Sequence, residues 1–344
     1  MPKAVITFKP KQVTKSLLAS LPARAADILK RRYGLGDTAL RSTLEEIGQS
    51  YGITRERVRQ IESFALASVR KSDAFQHALS VFDELKSLMS EYGTVVHEED
   101  FLNYVSKEAS LQNHVHFLLV LGDYFERLRE DEDFHHRWTI DKAVADKVER
   151  SLKTLHKGLS ANELLSEKEV LNRFEGHLEK EVKNVPVKSY SGRWINLSKH
   201  LGQNPLGEWG LASSSKVKAR GIRDLAYLIL RDQGSPMHFT EVAKQIEKRF
   251  NKKAHVATCH NELIKDERFI LVGRGLYALA EWGYAPGVVR DVIRHILKKE
   301  GPMTKEEILD RVKKERYVKD NTIIVNLQNG SYFKKDKAGR YSAL

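Results

Sequence analysis

One cysteine in 344 residues, Cys259, rules out an internal disulfide framework and is compatible with a reducing cytoplasm. Long apolar runs are missing too: the longest, such as Val115 to Leu121, fall far short of the roughly 20 residues a bilayer requires. Met1 to Pro10 has no apolar stretch leading to a small-residue cleavage site, so no secretory signal is expected. No segment is long or biased enough to read as a disordered tail. Catalytic signatures are equally scarce. Gly273-Arg274-Gly275 is not a phosphate loop, because no Gly-Lys-Ser/Thr follows it. His135-His136, His114 with His116, and His255 with Cys259 and His260 all lack the four-ligand spacing of a zinc site. These absences lead to the expectation of a cytoplasmic chain with no metal or other cofactor, no membrane partner and no enzymatic activity, in which Cys259 packs a helix.

What the sequence does carry is charge, unevenly spread. It holds 58 Lys+Arg against 46 Asp+Glu, a net charge of +12. Residues 1–72 have 14 basic and 6 acidic side chains (+8), and residues 73–140 have 5 and 14 (−9). Residues 141–210, 211–283 and 284–344 follow at +2, +5 and +6. A basic end is the electrostatic footprint of a polyanion partner. The acidic run Glu130-Asp131-Glu132-Asp133 reads as a solvated turn, or else as a docking patch for a basic partner.

Length alone suggests about two domains, yet after residue 72 a smaller pattern recurs four times. Each copy has a helix leading to a glycine turn (Gly93, Gly158, Gly234 or Gly301), then a short apolar step and an acidic-apolar helix. Further on, a basic residue stands near an aromatic one in a strand-like run: Arg137-Trp138, Arg193-Trp194, Arg274 with Tyr277, and Arg340-Tyr341. Ser235-Pro236 and Pro302-Met303 break a helix, and Thr240 and Thr304 are placed to cap the next one. Phe269 to Val272 and Leu276 to Leu279 flank Gly273-Arg274-Gly275, whose glycines allow the positive φ of a tight hairpin. Helix, strand, two helices and a hairpin outline a winged helix. Glu208-Trp209-Gly210 and Glu281-Trp282-Gly283 each follow an expected wing, which supports duplication. Lys180 to Ser191 reads as irregular, and residues 211–220 as a flexible basic linker or a helix start.

Two helices are legible between Thr43 and Arg70. Thr43 with Glu46 makes a capping box, Leu44 and Ile47 face inward, and Gly52 ends the first helix. Thr54 caps the second, whose inward face is Val58, Ile61, Ala65 and Val69 at steps of three and four. Arg55, Glu56, Arg59 and Gln60 share the opposite side. Such a face suits a major groove: arginine can donate twice to guanine, glutamine can pair with adenine, and glutamate can accept from cytosine. From residue type alone, a solvated face with internal salt bridges is the alternative.

Four stretches carry a resemblance. They are Leu21-Pro22, Ile28 to Leu35, Thr43 to Gly48 and Thr54 to Glu62, the last reading Thr-Arg-Glu-Arg-Val-Arg-Gln-Ile-Glu. Together they resemble region four of housekeeping-type bacterial sigma factors over about 50 residues. The resemblance implies that Arg55, Glu56 and Gln60 read bases of an upstream promoter element. It leaves Thr43, Arg57 and Arg59 for phosphate contact and orientation. It also implies docking on the flap of RNA polymerase. Only about 20 residues precede Leu21, so the aromatic-bearing region that melts promoters is expected to be absent.

A second resemblance spans Arg223 to Gly283. Leu225 to Gly234, Ser235 to Phe239, His260 to Leu263, Asp266 to Ile270 and Val272 to Glu281 resemble the HARE-HTH winged helix, which implies association with DNA or polymerase. Residues 284–344 resemble a diverged further copy, and Arg274 and Arg340 at the wing tips are candidates for phosphate contact. The expected fold is mainly α with small β-wings: a helix-turn-helix over 1–72, winged-helix modules over 73–140 (acidic) and 141–210, a HARE-HTH winged helix over 211–283, and a diverged one over 284–344. The expected function is that of a nucleoid-associated bacterial transcription factor, a sigma-like regulator that reads double-stranded promoter DNA and associates with RNA polymerase. The alternatives are a polymerase-docking interaction protein and a DNA-recognition component of a restriction or defence system.

Overall fold

The computed structural model describes residues 5–161, 163–178, 186–284 and 287–344. It divides into two compact units: one holds the chain to Gln203 together with Glu208–Ser213, the other Asn204–Gly207 together with Ser214–Leu344. None of the described helices is long and apolar enough to cross a membrane.

The first unit opens with helices α1 (Pro10–Leu18), α2 (Ala23–Tyr33), α3 (Leu44–Tyr51) and α4 (Arg55–Arg70). Each boundary has a local cause. Pro10 opens α1 where its missing N–H would go unused. Thr43 and Glu46 close the expected capping box on α3, and Thr54 accepts from the Arg57 N–H to start α4. Gly52 ends α3 at φ 62°, a conformation that favours glycine. Gly48 faces the turn so closely that a Cβ there would lie 2.6 Å from the Ile53 carbonyl oxygen. Ile28, Ile47 and Val58 meet as a small buried cluster that clamps α2, α3 and α4 together.

Four groups of helices, each with a small antiparallel sheet or hairpin in the manner of a winged helix, follow among the described residues. In the first, α5 (Asp73–His77) leads into α6 (Leu79–Tyr92), β1 (Val95–His97), α7 (Glu98–Val105), α8 (Ala109–Leu121), β2 (Glu126–Leu128) and β3 (Arg137–Thr139). β3 lies between the other two strands, with Val96 opposite Trp138 in the antiparallel β1 pairing. The second has α9 (Lys142–Gly158), α10 (Glu167–Leu178), α11 (Val187–Trp194), β4 (Leu201–Gln203) and β5 (Trp209–Leu211), and Leu165 bridges Trp209 where a first strand would stand. In the other unit, the third module runs α12 (Ile222–Gln233), β6 (Met237–His238), α13 (Phe239–Phe250), α14 (Val256–Lys265), β7 (Phe269–Gly273) and β8 (Leu276–Leu279), with β8 central. The fourth has α15 (Val289–Glu300), α16 (Lys305–Glu315), α17 (Asp320–Leu327), β9 (Phe333–Lys335) and β10 (Tyr341–Ala343), and Met303 bridges Tyr341. In all four, the last strand sits between the first strand or bridge and the second strand. The fold is mainly α with small β-wings, a helix-turn-helix followed by tandem winged helices.

Packing ties the helix-turn-helix to its neighbour. Leu17, Leu29, Ala65 and Val69 share one core with Phe82, Phe101, Phe117 and Trp138 of the first winged module. Successive residues of a strand face opposite ways, so Val96 enters that core while Val95 enters the core of the second winged module with Phe174 and Trp194. The acidic run Glu130 to Asp133 is not simply solvated. Asp131 accepts from the N–H groups of Asp133 and Phe134. Glu130 pairs with Lys199, and Asp133 with Lys153 (2.6 Å) and His200 (2.9 Å). The basic partner is the next stretch of the same unit.

Several local expectations change. Arg193-Trp194 closes helix α11 and is not in a strand; the Trp194 indole N–H donates to the carbonyls of Gly93 and Val95, which holds that helix against β1. Glu208-Trp209-Gly210 does not follow the second wing, since Trp209 begins its last strand, whereas Ala280–Trp282 is a 3-10 turn after β8. Thr240 does not cap α13; His238 does, accepting from the Thr240 N–H, because the helix begins at Phe239. Thr304 caps α16 as expected. Of the stretch read as irregular, residues 180–185 lie outside the described residues and Val187–Trp194 is helical.

Candidate nucleic-acid interface

Burial of Val58, Ala65 and Val69 fixes the rotation of α4 and turns its other side outward. Arg55, Glu56, Arg57, Arg59 and Gln60 are all exposed there, within the first two turns. Two internal pairs hold four of them. Arg59 donates twice to Glu56, Nε to Oε2 at 2.9 Å and Nη2 to Oε1 at 2.7 Å. Arg57 Nη1 donates to the amide oxygen of Gln60 at 3.1 Å. The bond from Arg59 holds the Glu56 carboxyl below its ordinary pKa, and the charge of Arg55 adds to this. Glu56 is therefore an acceptor, as recognition of a base amino group requires. Both pairs are solvent-exposed and so can be exchanged for contacts to DNA.

Thr43 sits at the start of α3. Its Oγ1 accepts from the Glu46 N–H at 3.2 Å and its own N–H donates to the Glu46 carboxylate at 2.7 Å, and the hydroxyl also bonds that carboxylate. Arg274 lies in the turn between β7 and β8, beside Gly275 at φ 73°. Arg340 precedes β10, its N–H donating to Asp336 at 2.8 Å. Both are exposed. The structure thus gathers the five residues of α4 on one surface, keeps Thr43 on the adjoining helix, and places the two hairpin arginines in the other unit.

Two features escaped the sequence reading. Arg24 and Arg31 of α2 stand over the Tyr51 ring at 4.9 and 5.5 Å, and the Tyr51 hydroxyl donates to Asp27 at 2.6 Å. The signal was present as Arg24, Asp27 and Arg31 at steps of three and four, but a basic helix face alone does not name its aromatic partner. Phe64, one turn beyond Gln60, is 70% exposed and extends the outward face of α4 with an apolar group.

Comparison with known proteins matches these two regions. Residues 17–71 match the family model for sigma-70, region 4. Residues 221–282 match the HARE-HTH model, a helix-turn-helix domain whose description names ASXL and restriction endonuclease. The chain joins a sigma-70 region 4 segment to a HARE-HTH domain. Among curated proteins, it is similar to the RNA polymerase principal sigma factor HrdD of Streptomyces coelicolor, 42% identical over 69 residues and covering 20% of each chain. It is also similar to the RNA polymerase sigma factor SigA of Nostoc sp., 49% identical over 67 residues and 17% of each chain. The RNA polymerase sigma factor RpoD of Neisseria gonorrhoeae is 48% identical over 59 residues, 17% of this chain and 9% of its own length. This chain spans a fifth or less of the length of these relatives. The sigma-like segment is a helix-turn-helix of the DNA-binding type.

Proposed function

We propose that the chain is a bacterial transcription regulator that reads a double-stranded promoter element with α4 and associates with RNA polymerase, its flap included, without being an enzyme. The observation that carries this reading is the exposed Arg55, Glu56 and Gln60 on the first turns of a helix whose opposite face is clamped in a core. In the proposal these three read base edges, and Thr43, Arg57, Arg59, Arg274 and Arg340 contact phosphates or orient the readers. The five sequence modules, 1–72, 73–140, 141–210, 211–283 and 284–344, act as one reader followed by four winged helices, in a cytoplasmic, nucleoid-associated protein.

Arg55→Ala is expected to weaken binding to the preferred duplex roughly 5- to 150-fold, the equivalent of about 1–3 kcal/mol for one bidentate base contact. Binding to scrambled duplexes should change little. Fluorescence anisotropy on a site obtained by in vitro selection checks this, and an equal loss on every sequence would remove Arg55 from the base-reading set.

One observation favours a second reading, docking to protein. The exposed side of α14, the helix that a winged helix offers to a partner, carries Val256 and Ile264, with Leu271 exposed on the neighbouring β7. That apolar surface suits a protein better than phosphates. Retention of RNA polymerase by the chain in the absence of DNA, lost on Ile264→Glu, would support this second reading.

A further inference from the structure

A cleft of about 590 Å³ opens in the first unit among α1, the segment after α2 and the start of α8. Its size is that of a small-molecule site. Lys11, Lys15 and Lys30 line it beside the apolar Leu18 and Leu35. Lys11 is neutralised by Glu108 at 2.9 Å, whereas Lys15 and Lys30 have no ion-pair partner among the described residues. Asp37 also lines the cleft and leaves the set net positive.

Two polar groups in the same lining lack partners. The Thr14 hydroxyl, in a residue 1% exposed, and Nδ1 of His114, in a residue 6% exposed, are buried without any hydrogen bond. Native interiors rarely leave such groups unmade, because each forfeits its hydration. Burial, helped by the charge of Lys11, pushes the His114 pKa down and keeps the imidazole neutral. α8 begins at this cleft without a side-chain cap, and Ser110 of its first turn is among the lining residues. Uncapped N–H groups and the helix dipole favour a negative charge there.

We infer that this cleft binds a small phosphate-bearing ligand of about mononucleotide size, its phosphate neutralised by Lys15 and Lys30 and its polar groups met by Thr14 and His114. Two unneutralised ammonium groups match a dianion better than a single carboxylate. Asp37 offers an acceptor to a ligand hydroxyl or amino group, and Leu18 and Leu35 give an apolar surface for a ring. The site draws on both the helix-turn-helix and the first winged module, so neither segment alone completes it.

Isothermal titration calorimetry of the full chain with AMP, adenosine and inorganic phosphate tests the assignment. AMP is expected to bind saturably, and adenosine at least about tenfold more weakly. The double variant Lys15→Ala, Lys30→Ala should lose at least about tenfold in AMP affinity at an unchanged melting temperature. Thr14→Val should bind AMP several-fold more weakly while melting no lower than the parent, since the methyl group replaces an unsatisfied hydroxyl. Absence of saturable binding of both AMP and phosphate would overturn the inference. So would equal AMP affinity in the parent and the double lysine variant.

Discussion

DNA affinity of the intact chain is expected to fall roughly 150-fold when monovalent salt rises from 50 to 200 mM. Each phosphate neutralised by a cation releases counterions and contributes about −0.9 to the slope of log K against log salt. If Arg57, Arg59, Arg274 and Arg340 each neutralise one phosphate, the slope is about −3.6, and a fourfold rise in salt gives that loss. The four belong to two compact units, so the slope separates engagement of the helix-turn-helix alone from engagement of the wings as well. With Arg57 and Arg59 alone, the slope would be about −1.8 and the loss about 12-fold. Arg274→Ala and Arg340→Ala should each make the slope shallower by about 1, leaving base preference unchanged. Anisotropy titrations at several salt concentrations read these slopes directly, and a flat response would exclude phosphate neutralisation as the main source of affinity.

Removal of the Glu98 carboxylate is expected to destabilise the unit that carries the helix-turn-helix by roughly 2 kcal/mol, mid-range for a buried donor left without its acceptor. For a unit of this size the melting temperature should fall by about 4–8 °C. Glu98 opens α7 with its side chain 14% exposed. It accepts from Arg127 Nε and Nη2 at 2.8 and 2.9 Å and from the Trp138 indole N–H at 2.8 Å. Trp138 is in the core that also holds Leu29 and Val69, so Glu98→Ala strands an indole N–H beside the packing that supports α4, while the exposed Arg127 turns to solvent. His116 Nε2 stands farther off, 3.6 Å away, and burial keeps that imidazole neutral near pH 7.

The pH dependence follows from the same contacts. Burial by itself raises the Glu98 pKa, but the hydrogen bonds and charge of Arg127 pull it well below the usual carboxylate range. A folded-state pKa below the unfolded value of about 4.3 stabilises above that pH and loses its effect as pH falls further. The deficit of Glu98→Ala should accordingly be full at pH 7 and shrink below about pH 4. Thermal melts across that range check the sign, and a deficit constant down to acid pH would place its origin in packing rather than in the ion pair.

How much of this was legible depended on range. The pair α3 and α4 was readable because its signals are local: Thr43 with Glu46, Gly52, Thr54, and the inward row Val58, Ala65 and Val69. The hairpin around Arg274 was readable for the same reason, with two apolar runs and Gly275 between them. Strands of three residues, such as β1, β3 and β5, are too short to show a period of two, which is why the sequence pattern puts Arg193-Trp194, a helix end, in a strand and misses the strand that Trp209 begins. His238 displaced Thr240 as a cap because a one-residue shift of the helix start leaves the composition unchanged. The shared core of the helix-turn-helix and the first winged module, and the pairing of Glu130 and Asp133 with Lys199 and Lys153, join residues far apart in sequence. No local pattern announces such contacts. The exposed face of α4 was legible as residue types, but its internal pairs, Glu56 with Arg59 and Arg57 with Gln60, emerged only with side-chain positions.

Guanine N7 is one of the two atoms that a base-reading Arg55 would hold. Substituting 7-deazaguanine in turn at each guanine of a selected duplex deletes that acceptor with little other change. At one position the parent protein should lose about tenfold in affinity, and Arg55→Ala should lose nothing further there. Equal losses in both proteins at every guanine, or an in vitro selection that enriches no site at all, would contradict base reading by α4.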